Sequence, residues 1–328
     1  MFNNRFEFTA EWYKNRSEDL LYGVPVPEQT GVSNGTVTMN AASMNNSGFE
    51  FSATYRNRDH ALKYEVGANL STLKNKVTSL GFGTKYITGA FATFVGQEIG
   101  KFYGWEYEGI ARTQADLDNH ATQQGANIGD CLYKDVSGAD GVPDGVIDEH
   151  DQVVLGSGLP KLTFGVNVRL EYKHIDLSIA TYGALNYHVT DDIYNSLNSC
   201  YGWGNKDVAI LRANAYTEDG MKYMSNVPRT YVTNSATLAW NDLFSSRKIQ
   251  NAAYWKIANI ELGYNLPNKW FGGVVSGVRA YCSAQNLFTL TKYHGYNVDF
   301  AGGTFTPGYN FCSFPSAQSF MFGLHFTF

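Results

Sequence analysis

The feature that most constrains this chain is a strict apolar–polar alternation held over unusually long segments. Phe6, Phe8, Ala10 and Trp12 share one face, and Arg5, Glu7, Thr9 and Glu11 the other. The pattern returns with Phe49, Phe51, Ala53 and Tyr55, then with Leu62, Tyr64, Val66, Ala68 and Leu70. It returns again from Leu162 to Tyr172, from Ala258 to Leu266, and in Phe320, Phe322, Leu324, Phe326 and Phe328. A period of two is the signature of a β-strand with unlike faces. Strands of a water-soluble sandwich usually run about 5–6 residues, whereas several of these run about 9–11, enough to cross a bilayer at a tilt. Charges sit mid-strand on the polar face, as at Glu7, Glu50, Glu65, Arg169 and Glu261; a water-filled lumen tolerates them. A transmembrane barrel and a soluble β-protein both remain open here, with the lengths favouring the barrel.

The spacing predicts about ten strands, near 5–16, 47–56, 61–72, 86–94, 100–110, 162–172, 175–185, 254–266, 278–290 and 318–328. Links alternate between short (57–60, 95–99, 173–174, 267–277) and long (17–46, 73–85, 111–161, 186–253, 291–317). Bacterial outer-membrane barrels have short periplasmic turns and long external loops. That rule puts the first strand's start and the last strand's end on the periplasmic side. Segment 86–94 is the least regular, because Gly89 and several Thr and Ala residues blur its faces.

Composition removes other classes. The 328 residues carry 25 Lys+Arg and 30 Asp+Glu, so the net charge is 25 − 30 = −5. No strongly basic stretch exists, which argues against a nucleic-acid partner. With 17% charged and 15% aromatic residues, the chain is too apolar to be disordered. No run approaches the 18 or so apolar residues of a spanning helix. Met1-Phe2-Asn3-Asn4-Arg5 leads directly into a patterned strand, without the basic and apolar regions of a signal peptide. The expectation is either a cytoplasmic protein or a piece whose leader lies elsewhere, and the strand pattern favours the piece. Cys131, Cys200, Cys282 and Cys312 are expected to be mostly unpaired thiols, since four is few for a disulfide scaffold of this length.

Three sets of residues are site-like. Asp140, Asp144, Asp148 and Asp151 occupy positions 1, 5, 9 and 12 of an EF-hand-like loop, with Gly145 at the sharp turn; such carboxylates can wrap Ca²⁺. Val142 stands where position 3 supplies an oxygen, and Asp151 replaces the bidentate Glu. The other reading is an acidic turn whose Asx side chains cap their own backbone. Loop 186–253 carries Tyr194, Tyr201, Trp203, Tyr216, Tyr223, Tyr231 and Trp240 among amides and carboxylates. Tyr201, Trp203, Tyr216 and Trp240 are candidate platforms for sugar rings, or they pack the loop onto the barrel or a partner. Tyr103, Trp105 and Tyr107 are expected as interfacial belt residues. Glu50, Arg56, Lys63, Glu65, Arg169 and Glu261 are expected to face the lumen. No HExxH pattern, nucleophile elbow or phosphate loop is present, so no enzyme is predicted.

Ordered motifs then resemble a known family. Asn45-Asn46-Ser47-Gly48-Phe49-Glu50 resembles an Asn-x-Gly-x-Glu strand start. Gly100-Lys-Phe-Tyr-Gly-Trp105 with Glu108-Gly109-Ile110 resembles a GxFYGY…DGI segment. Gly129-Asp130-Cys-Leu-Tyr133-Lys-Asp135, the acidic loop, and Gly156 to Pro160 follow the pattern GDxxYxD…DGxID…G…P. Leu262-Gly-Tyr-Asn-Leu-Pro267 and Asn286-Leu-Phe-Thr-Leu-Thr-Lys-Tyr293 complete the series, and Phe328 resembles the terminal signal of outer-membrane barrels. The series is similar to the C-terminal part of SusC/RagA-type TonB-dependent outer-membrane transporters of Bacteroidetes. The resemblance implies a barrel of about 22 strands with a plugged lumen. It also implies a TonB complex engaged through the plug region, and a SusD-like lipoprotein lid that binds glycans or peptides.

The expectation is therefore all-β: a portion of an antiparallel up-and-down transmembrane barrel, residues 1–328 forming one unit without a plug domain. The expected role is glycan or oligosaccharide import in the cell outer membrane, with outer-membrane lipid as surroundings. A soluble carbohydrate-binding β-protein and a small independent ten-stranded porin are the alternatives.

Overall fold

The computed structural model describes residues 5–26, 29, 31–32, 35–81, 83–198, 227–229, 240–271, 275–300 and 302–328. Eight long strands form one meander: β1 (Phe6–Pro25), β2 (Thr36–Asn57), β3 (Leu62–Thr72), β4 (Leu162–Tyr172), β5 (Ile175–Leu185), β6 (Tyr254–Leu266), β7 (Gly277–Thr291) and β8 (Ser319–Thr327). Each pairs with the next in sequence, and every pairing is antiparallel. Among the described residues β1 and β8 have a neighbour on one side only, so the sheet is a wall with two free edges.

Register makes the two faces continuous. Glu11 lies opposite Glu50, Glu50 opposite Ser71, Ser71 opposite Thr163, and Thr163 opposite Ala184. The other parity aligns Phe51 with Leu70, and Leu70 with Phe164. Among the described residues nothing packs over the apolar face: Phe8 is 58% exposed, Trp12 61% and Phe322 84%. A patch this large is unstable toward water but suits hydrocarbon. Phe6, Phe8 and Phe326 are exposed rather than gathered in an interior, against the soluble-core alternative. No helix among the described residues is long and apolar enough to cross a membrane.

Two predicted wall segments, 86–94 and 100–110, lie elsewhere. They supply Lys85–Thr88, Phe91–Phe94 and Lys101–Trp105 of a separate four-stranded sheet completed by Gln152–Ser157. Pieces of 4 or 5 residues cannot span a bilayer that needs about 9–11. Positive φ at Gly89, Gly96 and Gly100 turns the chain back each time. Tyr103, Trp105 and Tyr107 are therefore not a wall belt. The predicted long link 17–46 is mostly strand, because β1 and β2 run 20 and 22 residues and stand well beyond the 11 of β3, β4 and β5.

The short links 58–61, 173–174 and 267–276 all fall at one end of the wall, and the long excursions at the other. The excursions build a mouth with ordinary buried cores. Tyr22, Val24, Ala42, Val77, Leu80 and Ile99 form one, Tyr187, Val189, Ala252 and Tyr293 contribute to a second, and Cys131, Tyr133, Ile147 and Trp240 form a third.

Candidate functional site

The polar face of the wall is the candidate site, and it has two zones. Near the short turns lies a girdle of paired charges. Arg56 donates to Glu65 at 3.0 Å and to Glu7 at 3.1 Å. Lys63 meets Glu171 at 2.9 Å. Arg279 bridges Glu261 at 2.7 Å and also Asp176. Arg169 sits opposite Glu65 and Ser178 in the register. Of the six residues expected to face the lumen, Arg56, Lys63, Glu65, Arg169 and Glu261 thus fall in the girdle. Glu50 lies higher, accepting from the Ser71 hydroxyl at 3.3 Å.

Above the girdle the inner face opens into a hollow of about 630 Å³ whose lining includes Glu11, Glu50, Asn69, Thr163, Asn167 and Tyr182. A second hollow of about 690 Å³ lies under the mouth, and both touch Thr163 and Tyr254. At their junction Asp299, from the link after β7, reaches the wall. It accepts from Lys256 Nζ at 2.5 Å, from the Tyr182 hydroxyl at 2.8 Å and from the Tyr254 hydroxyl at 3.2 Å. A β-bulge makes this possible. Ala180 pairs with Asn259 but Thr181 with Ile257, so Ala258 is extra and the parity of β6 flips. Tyr254 and Lys256 then share the inner face with Glu261. Strict alternation gives no sign of this.

The acidic loop is held by its own carboxylates. Asp151, 0% exposed, accepts from the backbone amides of Val136, Ser137 and Asp148 at 2.8, 3.1 and 2.9 Å. Asp148 caps the turn Glu149–Asp151 by accepting from the His150 amide at 2.7 Å, a bond that lowers its carboxyl pKa. Asp144 accepts from the Val146 amide, and Asp140 is exposed. Among the described residues no three His, Cys, Asp or Glu side chains converge as a metal site would require. As folded, the four aspartates do not present a Ca²⁺ cage.

Of the aromatic candidates, Tyr201, Trp203 and Tyr216 lie outside the described residues. Trp240 is 4% exposed and packs 6.2 Å from the Tyr133 ring, so it serves the mouth core. Its Nε1 donates to the Gln124 carbonyl. Cys131, Cys282 and Cys312 are free thiols, and Cys200 lies outside the described residues. Burial pushes the Cys131 thiol up to about 11, so it stays protonated and unreactive.

Sequence reading missed the buried carboxylates that organise the mouth. Asp191 caps the helix Asp192–Leu197 through the Tyr194 amide and also accepts from Asn310 at 2.9 Å and from the Tyr293 hydroxyl. Burial, and then this carboxylate, raise the Tyr293 pKa. Asp130 takes a two-point contact from Arg229 at 2.6 and 2.9 Å. Only the Asp191-Asp192 pair ahead of Ile-Tyr gave a local signal, as a helix N-cap.

No family model matches the chain. Curated relatives do, over its whole length. TonB-dependent receptor P3 of Formosa agariphila is 29% identical over 348 residues, and TonB-dependent receptor P26 of the same organism 28% over 347. TonB-dependent receptor SusC of Bacteroides thetaiotaomicron is 25% identical over 99% of the chain. The RagAB peptide transporter structure superposes over 99% of the chain with a TM-score of 0.77 at 24% identity. The chain is similar to the barrel part of SusC/RagA-type TonB-dependent receptors. It spans about a third of the length of these relatives (33%, 33% and 30%) and 33% of the RagAB transporter chain. The relatives it matches are receptors and a transporter, not enzymes, and its wall has the form of an outer-membrane barrel. The apolar outward face and the polar inner face are the physical form of that location.

Proposed function

We propose that this segment forms wall and mouth of an outer-membrane importer that takes up oligosaccharides. The observation carrying the reading is the inner face, where two hollows share Thr163 and Tyr254 beneath the mouth, behind an outer face fit only for lipid. A hydroxyl- and amide-rich lining suits a polyhydroxylated substrate, and the girdle below would meet a plug supplied by the rest of the protein. Energy would come from a TonB complex acting through that plug, and a SusD-like lipoprotein would sit over the mouth. The free edges of β1 and β8 support a larger barrel over an independent small porin, because open ladders are not left unpaired in lipid.

Uptake tests the reading. Cells lacking the gene should lose accumulation of fluorescently labelled oligosaccharides and keep that of labelled oligopeptides. The reverse result would make peptides the cargo, the substrate class named for RagAB. Unchanged uptake of both would end the import reading.

A further inference from the structure

The link between β7 and β8 is far longer than a turn needs, and it does not stay beside its own strands. From Lys292 to Gln318 it crosses the inner side of the mouth. Asp299 is seated on β5 and β6. Phe305 packs against Tyr22 of β1 at 5.3 Å and against Tyr86 at 5.5 Å between ring centres. Pro307 presses on Gly158, where an added Cβ would lie 1.9 Å from the Pro307 carbonyl oxygen. The Thr190 amide donates to the Gly308 carbonyl at 2.9 Å, and Tyr309–Asn310 pairs in parallel with Thr190–Asp191. The segment thus reaches from one side of the wall to the other, and Asp299, Gly303 and Pro307 are part of the lining of the 690 Å³ hollow.

Its seats differ in kind. Pro307 and the strand pairing join the link to the other excursions, and Phe305 joins it to Tyr86 and to Tyr22 on the part of β1 that enters the mouth core, so these contacts hold the mouth together as one body. Asp299 is the seat on the wall's inner face. There the Lys256 ammonium, its side chain 4% exposed, donates to the Asp299 carboxylate and, at 3.4 Å, to the Ser316 hydroxyl of the same link, while the Tyr182 and Tyr254 hydroxyls donate to that carboxylate. A buried ion pair is a poor source of net stability, because desolvation offsets most of the attraction. Losing one partner strands the other charge. Such a pair specifies one arrangement against others, which is what a catch requires.

We propose that this link is a strap that closes the mouth hollow, with Lys256–Asp299 as its latch. Opening the hollow means withdrawing Asp299 from Lys256, Tyr182 and Tyr254 while the contacts at Phe305 and Pro307 stay made. The proposal deepens the reading of the hollow as part of the import route, but it is read by accessibility and not by transport.

The test uses the protein extracted from the outer membrane. Hydrogen exchange is followed in peptides containing Asp299 and Phe305, and labelling by a bulky polar maleimide is followed at Thr163→Cys, beneath the strap. Peptide-level mass spectrometry separates that thiol from Cys131, Cys200, Cys282 and Cys312. Lys256→Met and Asp299→Asn should each speed exchange at Asp299 and labelling at position 163 on the order of tenfold, while exchange at Phe305 changes little. Lys256→Arg, which keeps the charge, should restore slow rates. Unchanged rates in Lys256→Met, or Lys256→Arg as open as Lys256→Met, would overturn the latch. Should Lys256→Met loosen the whole wall, Tyr182→Phe with Tyr254→Phe decides, since both rings stay packed; no acceleration there also overturns it. Intact latch behaviour, with uptake of both oligosaccharides and oligopeptides unchanged in cells lacking the gene, would refute the import reading alone.

Discussion

In the wall, Phe8, Trp12 and Phe322 point outward and lie open, whereas in the mouth Phe102, Val189 and Tyr133 are buried to 0–1% exposure. One chain thus obeys two opposite sorting rules. The wall needs no core of its own because lipid solvates its apolar face and the ladder satisfies its backbone. The mouth stands in water and hides apolar groups in the ordinary way. Its irregular backbone, however, leaves amides that only side chains can satisfy. Carboxylates fill that need at Asp151, Asp191 and Asp130. Ionic groups in the wall girdle are wetter and replaceable, while those in the mouth are single points on which whole loops hang.

The sharpest way to break this contrast is Asp151→Ala. Three backbone amides lose their acceptor in a dry site, so the acidic loop should be destabilised by about 3 kcal/mol or more. Hydrogen exchange across 135–151 checks it, with the wall unchanged. The wall rule is tested by a matched pair on β4. Val168→Arg, on the lipid face, should cost about 2–4 kcal/mol, and the adjacent Asn167→Arg, on the inner face, within about 1 kcal/mol. Urea midpoints in lipid vesicles report both; equal costs would dissolve the distinction between faces.

A milder effect concerns pH. Burial lowers the His188 pKa from 6.5, so the folded mouth holds it neutral. Its contribution is complete above pH 6.5 and is lost as pH falls through the lower folded-state value, because the unfolded chain takes up the proton first. Tryptophan-monitored melting between pH 8 and 5 should show this slope, and His188→Gln should flatten it. The smallest effect is expected in the girdle. Lys63→Ala removes a pair whose side chains are 47% and 42% exposed, so the loss should fall within about 0–1 kcal/mol and vanish in high salt.

How much was legible follows from the range of each interaction. Arg56, Lys63, Glu65, Arg169 and Glu261 were placed on the polar face from parity alone, since a strand carries its orientation in consecutive residues. Segments 86–94 and 100–110 were misplaced because each is as long as a wall strand and rich in strand-forming residues, even though the faces of 86–94 are blurred. Their shortness emerges only where Gly89, Gly96 and Gly100 adopt positive φ. The Ala258 bulge was equally hidden, and with it the inward turn of Tyr254 and Lys256.

Alternation and link lengths by themselves therefore determined that the chain is a two-faced sheet, which side chains of most wall strands share a face, and that the long excursions gather at one end. Tertiary structure alone decided that Asp299 would find Lys256 across 43 residues, and that Asp151 would be spent on amides. The first kind of fact is written in neighbours two apart. The second depends on where distant segments cross, and no local period encodes a crossing.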